Sequence, residues 1–315
     1  MKRLLIPIII LMVLLAAYLI VQNNKTQSVT VDRIENFLNL SAQDVTSLNI
    51  ERMGSPELEF RRDGVDWLVM DDSVERLADT SLVNDIVTMF ADLEVGEVES
   101  DNPKKQGLYQ VDTLTGTRIT FYKNQEELSS IIVGSSSQGY LYSYVRKPDS
   151  DLVYSGKGVK SFLLTKPIAA FRNKNIIQAD TAGIVSLVFE YPEESFTVSR
   201  GDSLWYLNMA DADEKTPVNS DTLDLVKRQF VVLRADGFWI DSDSAIPVDK
   251  TPELTLTVNY QNGQSDRLRL LGGNDSKTRY FIQRDGVNDT YMIVYSKYGQ
   301  LIRRSNNFLA VEKNG

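Results

Sequence analysis

Apolar and polar residues alternate in VTSLNIER at 45–52. Such alternation is typical of a strand with one buried face. Two more apolar runs, LEFRR at 58–62 and WLVM at 67–70, flank an Asp-Gly pair, which favours a tight hairpin. The next segment, ADTSLVNDIVTMFADLEV at 78–95, has its apolar residues at helical spacing. The pattern therefore predicts a run of strands followed by one amphipathic helix.

The same order of patterns returns in the second half of the chain. IVSLVFEY at 184–191 is followed by GDSLWYL at 201–207, by a second helical pattern and by LTLTVNY at 254–260. In this alignment Trp205 matches Trp67. The segment YFIQR matches YSYVR, and each of these segments ends a predicted strand with arginine. A match that extends over a whole cycle of elements predicts a duplicated module.

These patterns predict an α+β fold with two tandem, duplicated sheet-plus-helix modules. The sheets are expected to be mostly antiparallel, because most connections are too short for a parallel crossover. The predicted segments are a tether at 22–43, a first repeat at 44–176, a connector at 177–183, a second repeat at 184–310 and a tail at 311–315.

The first 21 residues, MKRLLIPIIILMVLLAAYLIV, differ from the rest. Two cations precede an uncharged run from Leu4 to Val21, whose length as a helix is about 27 Å, close to the thickness of a bilayer core. A cleavable signal peptide starts in the same way, but the letters AAY do not form a small-x-small cleavage site. We therefore expect an N-terminal transmembrane helix at 1–21. The positive-inside rule then places the N-terminus in the cytoplasm and the remaining chain outside the bacterial inner membrane.

Composition excludes several kinds of chemistry. The 315 residues include no histidine and no cysteine. Histidine-dependent triads, most zinc sites and thiol catalysis are therefore excluded. The net charge of −9 disfavours binding to nucleic acid. The acidic cluster at 241–245 lacks the turn glycine of a calcium loop, and the cluster at 211–214 resembles a solvated loop before Thr216 and Pro217. We therefore predict no catalytic, cofactor or metal site, and no enzymatic activity.

Aromatic residues are the most distinctive side chains. Trp67 and Trp205 occupy equivalent positions in the two repeats, which favours a shared role in the core. In YLYSY, alternation puts Tyr140, Tyr142 and Tyr144 on one face of a strand. Tyrosine combines an apolar ring with a polar hydroxyl, so this face is a candidate surface for a partner or ligand. Packing against the module's own helix is the alternative.

The assembled motifs resemble a bacterial membrane-anchored family, the domain of unknown function 4340 (DUF4340). The resemblance is carried by the N-terminal segment, DVTSLNIER, DGVDWLV, LADTSLVNDIVTMFADLEV, QGLY, IIVG and YVR, and it covers most of 40–310. QGLYQVD departs from the family's usual Tyr-Gly-Leu, acidic residue and proline. Members are commonly encoded beside ABC-transporter components of the gliding-motility type. The resemblance implies an accessory role in the cell envelope and supplies no catalytic residues.

The expected function is that of a non-enzymatic, membrane-anchored extracytoplasmic binding or scaffold protein, whose partners are envelope proteins such as transporter subunits. A glycan- or peptide-binding ectodomain is the first alternative. The second is a carboxylate-dependent hydrolase acting on the cell wall, because 43 acidic residues make a pair of carboxylates across a cleft statistically available.

Overall fold

The computed structural model describes residue 15 and residues 34–309, apart from 138–140, 211–213, 240–250 and 275. The chain divides into two compact units between Ile168 and Ala169. The segment expected as the connector, 177–183, lies within the second unit.

The first unit is built on a nine-stranded sheet. Its strands are β1 Ser47–Arg52, β2 Leu58–Asp63, β3 Asp66–Asp71, β4 Val74–Leu77, β5 Val95–Ser100, β6 Thr117–Lys123, β7 Glu126–Ser136, β8 Tyr142–Arg146 and β9 Val153–Lys157. Their order across the sheet is β4-β3-β2-β1-β6-β7-β8-β9-β5. All of these pairings are antiparallel. Most are hairpins between consecutive strands, but β1 pairs with β6 and β5 pairs with β9 across longer connections.

The second unit repeats this topology. A two-stranded sheet pairs β10 Asn175–Ile177 with β15 Leu233–Arg234. The large sheet has the order β14-β13-β12-β11-β17-β18-β19-β20-β16. Its strands are β11 Ile184–Glu190, β12 Ser195–Arg200, β13 Trp205–Met209, β14 Lys215–Pro217, β16 Gly237–Phe238, β17 Leu254–Tyr260, β18 Ser265–Gly273, β19 Tyr280–Arg284 and β20 Thr290–Ile293.

Helices are few and mostly short. The described α-helices are α1 Thr80–Ala91, α2 Gln106–Tyr109, α3 Ser161–Leu164, α4 Ser220–Gln229 and α5 Tyr295–Leu301. The described 3₁₀ turns are Pro103–Lys105, Ile168–Ala170, Thr181–Gly183 and Ser305–Phe308. The side chain of Asp79 caps α1 by accepting a hydrogen bond from the Leu82 amide, and Asn219 caps α4.

Each of the two longer helices covers one face of its sheet. In α1, Val83, Ile86 and Phe90 are buried, and the Phe90 ring lies 5.6 Å from that of Phe121 in β6. We call this face of the first sheet the helix face, and the opposite face the outer face. In the second unit, Leu223 and Val226 of α4 belong to the main core cluster. The alternating strands predicted from sequence bury their apolar residues in this way.

The hairpin between β2 and β3 shows how local sequence sets the register. Asp63 pairs with Asp66, so the connecting loop is Gly64–Val65. Gly64 has a φ of +61°, a left-handed conformation that glycine adopts without a steric penalty. This turn places Trp67 on the helix face, since side chains alternate along β3.

The predicted fold class requires correction. The α+β assignment with an N-terminal transmembrane helix is wrong, because the described chain is mostly antiparallel β-sheet in two nine-stranded sheets. The single amphipathic helix in each repeat had led us to predict an α+β module, but each such helix covers only part of one sheet face. No helix among the described residues is long and apolar enough to cross a bilayer. Residues 1–21, where the span was expected, lie outside the described residues except for Leu15.

Candidate functional site

The tyrosine-rich strand predicted from sequence is β8. Tyr142 and Tyr144 are partly exposed and alternate with Ser143 and Val145, which are buried. Val145 pairs with Val133 on the helix face, so the two tyrosines stand on the outer face. Tyr140 lies outside the described residues.

A third tyrosine, absent from the prediction, joins them from the loop that contains α2. The ring of Tyr109 lies 4.7 Å from that of Tyr144, and the ring of Tyr144 lies 5.7 Å from that of Tyr142, both in edge-to-face geometry. We call Tyr109, Tyr142 and Tyr144 the tyrosine cluster. Burial, followed by a hydrogen bond with Tyr142, raises the pKa of Tyr144 above its usual value. Its hydroxyl therefore stays protonated at neutral pH.

The loop is held against the outer face by contacts with β7 and β8. The hydroxyl of Ser135 donates a hydrogen bond to the Tyr109 carbonyl, at 3.3 Å. A Cβ atom on Gly134 would collide with the same carbonyl oxygen, so only glycine permits this approach. Beneath the loop, Val111, Ile132 and Val153 form a small buried cluster. The tyrosine cluster is therefore fixed in place.

Two exposed leucines adjoin the tyrosine cluster in sequence. Leu108 precedes Tyr109 and is 74% exposed, and Leu141 precedes Tyr142 and is 73% exposed. Large apolar side chains at such exposure next to aromatic rings are common where proteins bind partners. The cluster and its leucines therefore form the candidate binding surface of the first unit.

A groove of about 500 Å³ lies on the same face of the sheet, and Ile132 lines both the groove and the small cluster. Three arginines, Arg52, Arg118 and Arg146, face it together with the carboxylates of Glu51, Glu57 and Asp112. We call this cavity the arginine groove. Sequence analysis missed it, because a charged residue at the end of a strand is usually solvated.

Comparison with known proteins gives one match. A family model described as "Domain of unknown function (DUF4340)" matches residues 67–251. The chain belongs to the DUF4340 family. This match confirms the resemblance seen in the sequence, and the matched region includes the tyrosine cluster, Arg118 and Arg146. No curated protein and no solved structure matches the chain.

The two tryptophans of this DUF4340 protein occupy equivalent ladder positions, because Trp67 pairs with Arg62 and Trp205 pairs with Arg200. Trp67 is fully buried, and its indole N–H donates to the Asn84 side chain at 2.8 Å. Trp205 is partly exposed and packs at the margin of the second core, with the Lys227 ammonium 5.1 Å from its ring centre.

The described residues of the DUF4340 protein contain no group of three acidic side chains arranged to hold a metal ion. The acidic cluster at 241–245 lies outside the described residues, as does 211–214 except for Glu214. The site of interest therefore consists of the tyrosine cluster, its two adjoining leucines and the arginine groove of the first unit.

Proposed function

We propose that this DUF4340 protein is a non-enzymatic extracytoplasmic binding or scaffold protein, an accessory to an envelope transport system of the ABC type. We propose that the tyrosine cluster, with Leu108 and Leu141, contacts a protein partner of that system. The observation that carries the proposal is this aromatic and aliphatic surface, held rigid by the loop that crosses the outer face.

Preorganisation supports a role in binding. The edge-to-face ring contacts fix the tyrosine side chains before any partner arrives, so little side-chain entropy is lost on association. Tyrosine rings give a large apolar contact area, while their hydroxyls supply hydrogen bonds at the rim.

Composition and the N-terminal segment support the remaining parts of the proposal. The chain has neither histidine nor cysteine, the residues that most often transfer protons or act as thiol nucleophiles at neutral pH. The uncharged run Leu4–Val21 behind two cations supports a location at the bacterial inner membrane, with most of the chain outside the cytoplasm.

Crosslinking in cells, followed by mass spectrometry of the captured proteins, tests this function. We expect the wild-type chain to capture transporter subunits, and the double variant L108D/L141D to lose them, since buried carboxylates without a partner weaken an interface. Val65→Asp is the matched control, because Val65 is 83% exposed in the turn between β2 and β3. Capture of the same proteins by all three chains would contradict a role for the tyrosine cluster. Capture of no envelope protein would contradict the scaffold function itself.

The same surface supports a second candidate function, the binding of a glycan or a peptide, because tyrosine rings with free edges also contact sugars. A glycan array probed with the wild-type chain and with Tyr142→Ala tests it. Binding that the substitution abolishes would favour this function, and an array without binding would exclude the glycan.

A further inference from the structure

Arg146 is a buried cation on the outer face of the first sheet. The residue as a whole is 5% exposed. The Nε atom donates to the Val111 carbonyl at 3.0 Å, and Nη1 donates to the carbonyls of Lys147, Pro148 and Ser150 at 2.9 to 3.2 Å. These oxygens carry only partial charges, and no carboxylate of the described residues lies within ion-pair distance. The guanidinium is therefore rigidly positioned without a carboxylate in direct contact.

The third guanidinium nitrogen of Arg146, Nη2, is available to a ligand. Nη2 bonds no acceptor among the described residues, and it is not one of the nitrogens sealed from solvent. Arg146 lines the arginine groove, so this nitrogen gives the groove a fixed donor. Burial lowers the pKa of Arg146, opposed by the charges of Asp151 and Asp112, but a guanidinium remains protonated at neutral pH.

Arg118 supplies a second free cation beside it. Arg118 in β6 pairs with Ile132 in β7, and Ile132 pairs with Arg146 in β8. The two arginines therefore lie on either side of Ile132. Their Cα atoms are therefore roughly 10 Å apart, a span that two arginine side chains bridge easily. Nε of Arg118 donates to the Ser130 hydroxyl at 3.0 Å, which leaves both Nη atoms without an acceptor among the described residues.

The carboxylates of the groove do not neutralise these two guanidinium groups by contact. Asp112 is occupied within its own loop, where it accepts from the amides of Leu114 and Thr115 and from the Thr115 hydroxyl. Glu57 is exposed and accepts from Asn49, at 2.6 Å. Glu51 is exposed beside Arg118 in the ladder, without an ion pair among the described contacts. The groove is therefore close to neutral overall, but the free donors of Arg118 and Arg146 line it without an ion pair among the described contacts.

We propose that the arginine groove binds a phosphate group through Arg118 and Arg146. A phosphate carries a charge of about −1.5 to −2 and three acceptor oxygens, enough to accept from Nη2 of Arg146 and from both Nη atoms of Arg118, whereas a carboxylate has a single charge and two oxygens. Arg52, held by its hydrogen bonds to the Ser55 hydroxyl, stands at the rim of the same groove. The phosphate belongs to a free anion, a phosphorylated sugar or a lipid headgroup.

Calorimetric titration of the full chain with inorganic phosphate, with acetate and with a sugar phosphate tests the proposal. Phosphate is expected to bind at least about tenfold more tightly than acetate, and Arg118→Gln is expected to weaken phosphate at least about tenfold, the usual loss for one charge-assisted hydrogen bond. Vesicles with and without phosphatidic acid distinguish a lipid headgroup from the soluble forms.

Matched variants separate this site from general charge effects. Arg269→Gln removes an exposed arginine of the second sheet, which lies 3.3 Å from Asp285, and should leave phosphate affinity unchanged. Tyr142→Ala should also leave phosphate affinity unchanged. The proposal for the arginine groove is therefore tested separately from the proposal for the tyrosine cluster. Arg146→Lys keeps the charge but loses the fixed Nη2 donor, so it should weaken phosphate binding. If that chain misfolds, Arg118→Gln still tests the proposal. Equal affinity for acetate and phosphate, or no loss in Arg118→Gln, would overturn the proposal.

Discussion

The two units share a topology but differ in what they present on the face opposite the helix. Across four strands of the first sheet the paired residues are Glu51, Arg118, Ile132 and Arg146. The matching row of the second sheet is Glu190, Thr255, Arg269 and Gln283. Glu190 matches Glu51, but Thr255 and Gln283 stand at the positions of Arg118 and Arg146. The duplicated ladder therefore conserves backbone pairing, whereas the chemistry of the outer face belongs to the first unit.

The tyrosines show the same divergence. Tyr142 and Tyr144 stand on the outer face, but Tyr280 and Ile282, their counterparts by letter alignment, belong to the main core cluster. By ladder pairing, Val145 matches Ile282, since each faces a core residue of the preceding strand, Val133 or Leu270. The alignment of the two sequences is therefore shifted by one residue relative to the strand pairing. A shift of one residue along a strand moves every side chain to the other face of the sheet.

The largest expected difference between the units concerns the tryptophans. Trp67→Ala should lower the free energy of unfolding by about 3 to 5 kcal/mol, because it empties a fully buried site and leaves Asn84 without its donor. Trp205→Ala should cost about 2 kcal/mol or less, because that ring is partly exposed. Urea unfolding followed by circular dichroism measures both. Equal losses of unfolding free energy in the two variants would show that both tryptophans contribute equally to stability.

A smaller effect is expected where the loop approaches β7. Gly134→Ala should cost about 1 to 3 kcal/mol, because the new methyl group collides with the Tyr109 carbonyl and the Val111 side chain. Gly183→Ala in the second unit is the control, since a Cβ there meets no atom within 4 Å. Hydrogen exchange should show faster opening at 106–111 in the first variant only. Unchanged exchange there would mean that the loop is held by other contacts.

The smallest effect is an alkaline destabilisation of the second unit. Burial raises the pKa of Tyr191 and of Tyr291 to about 12, against about 10 in the unfolded chain. Between pH 10 and 12 the unfolded state loses these protons first, so stability is intact below pH 10 and falls as the pH rises toward 12. In fluorotryptophan NMR, the Trp205 signal should therefore change at lower pH than that of Trp67.

Tyr291→Phe checks the cause of that difference. It removes one of the raised groups, so the loss of stability between pH 10 and 12 should become shallower. Tyr142→Phe, in the first unit, should not alter the pH at which the Trp205 signal changes. An identical alkaline transition in the Tyr291→Phe chain would assign the destabilisation to other groups.

Sequence reasoning recovered the features that depend on local pattern. Alternation in 45–52 and 184–191 identified β1 and β11, and helical spacing identified α1 behind Asp79. The α+β fold class was wrong, because the pattern shows that one helix accompanies each set of strands but not how little of a nine-stranded sheet that helix covers.

The binding surface was recovered only in part. Alternation alone put Tyr142 and Tyr144 on one face, but Tyr109 reaches them through a loop whose position depends on Gly134. Arg118 and Arg146 become neighbours only through the register of β6, β7 and β8. Such contacts arise from the pairing of strands in the folded chain, so they cannot be predicted from the spacing of residues along the sequence.

The claim that the first unit alone presents the partner surface is tested most directly by photo-crosslinking in cells. A photoreactive amino acid replaces Leu141, just before β8, or Thr278, which the ladder places at the matching exposed position before β19. We predict that position 141 yields adducts with envelope transport proteins and that position 278 does not. Adducts of equal yield from both positions, or from position 278 alone, would contradict the claim.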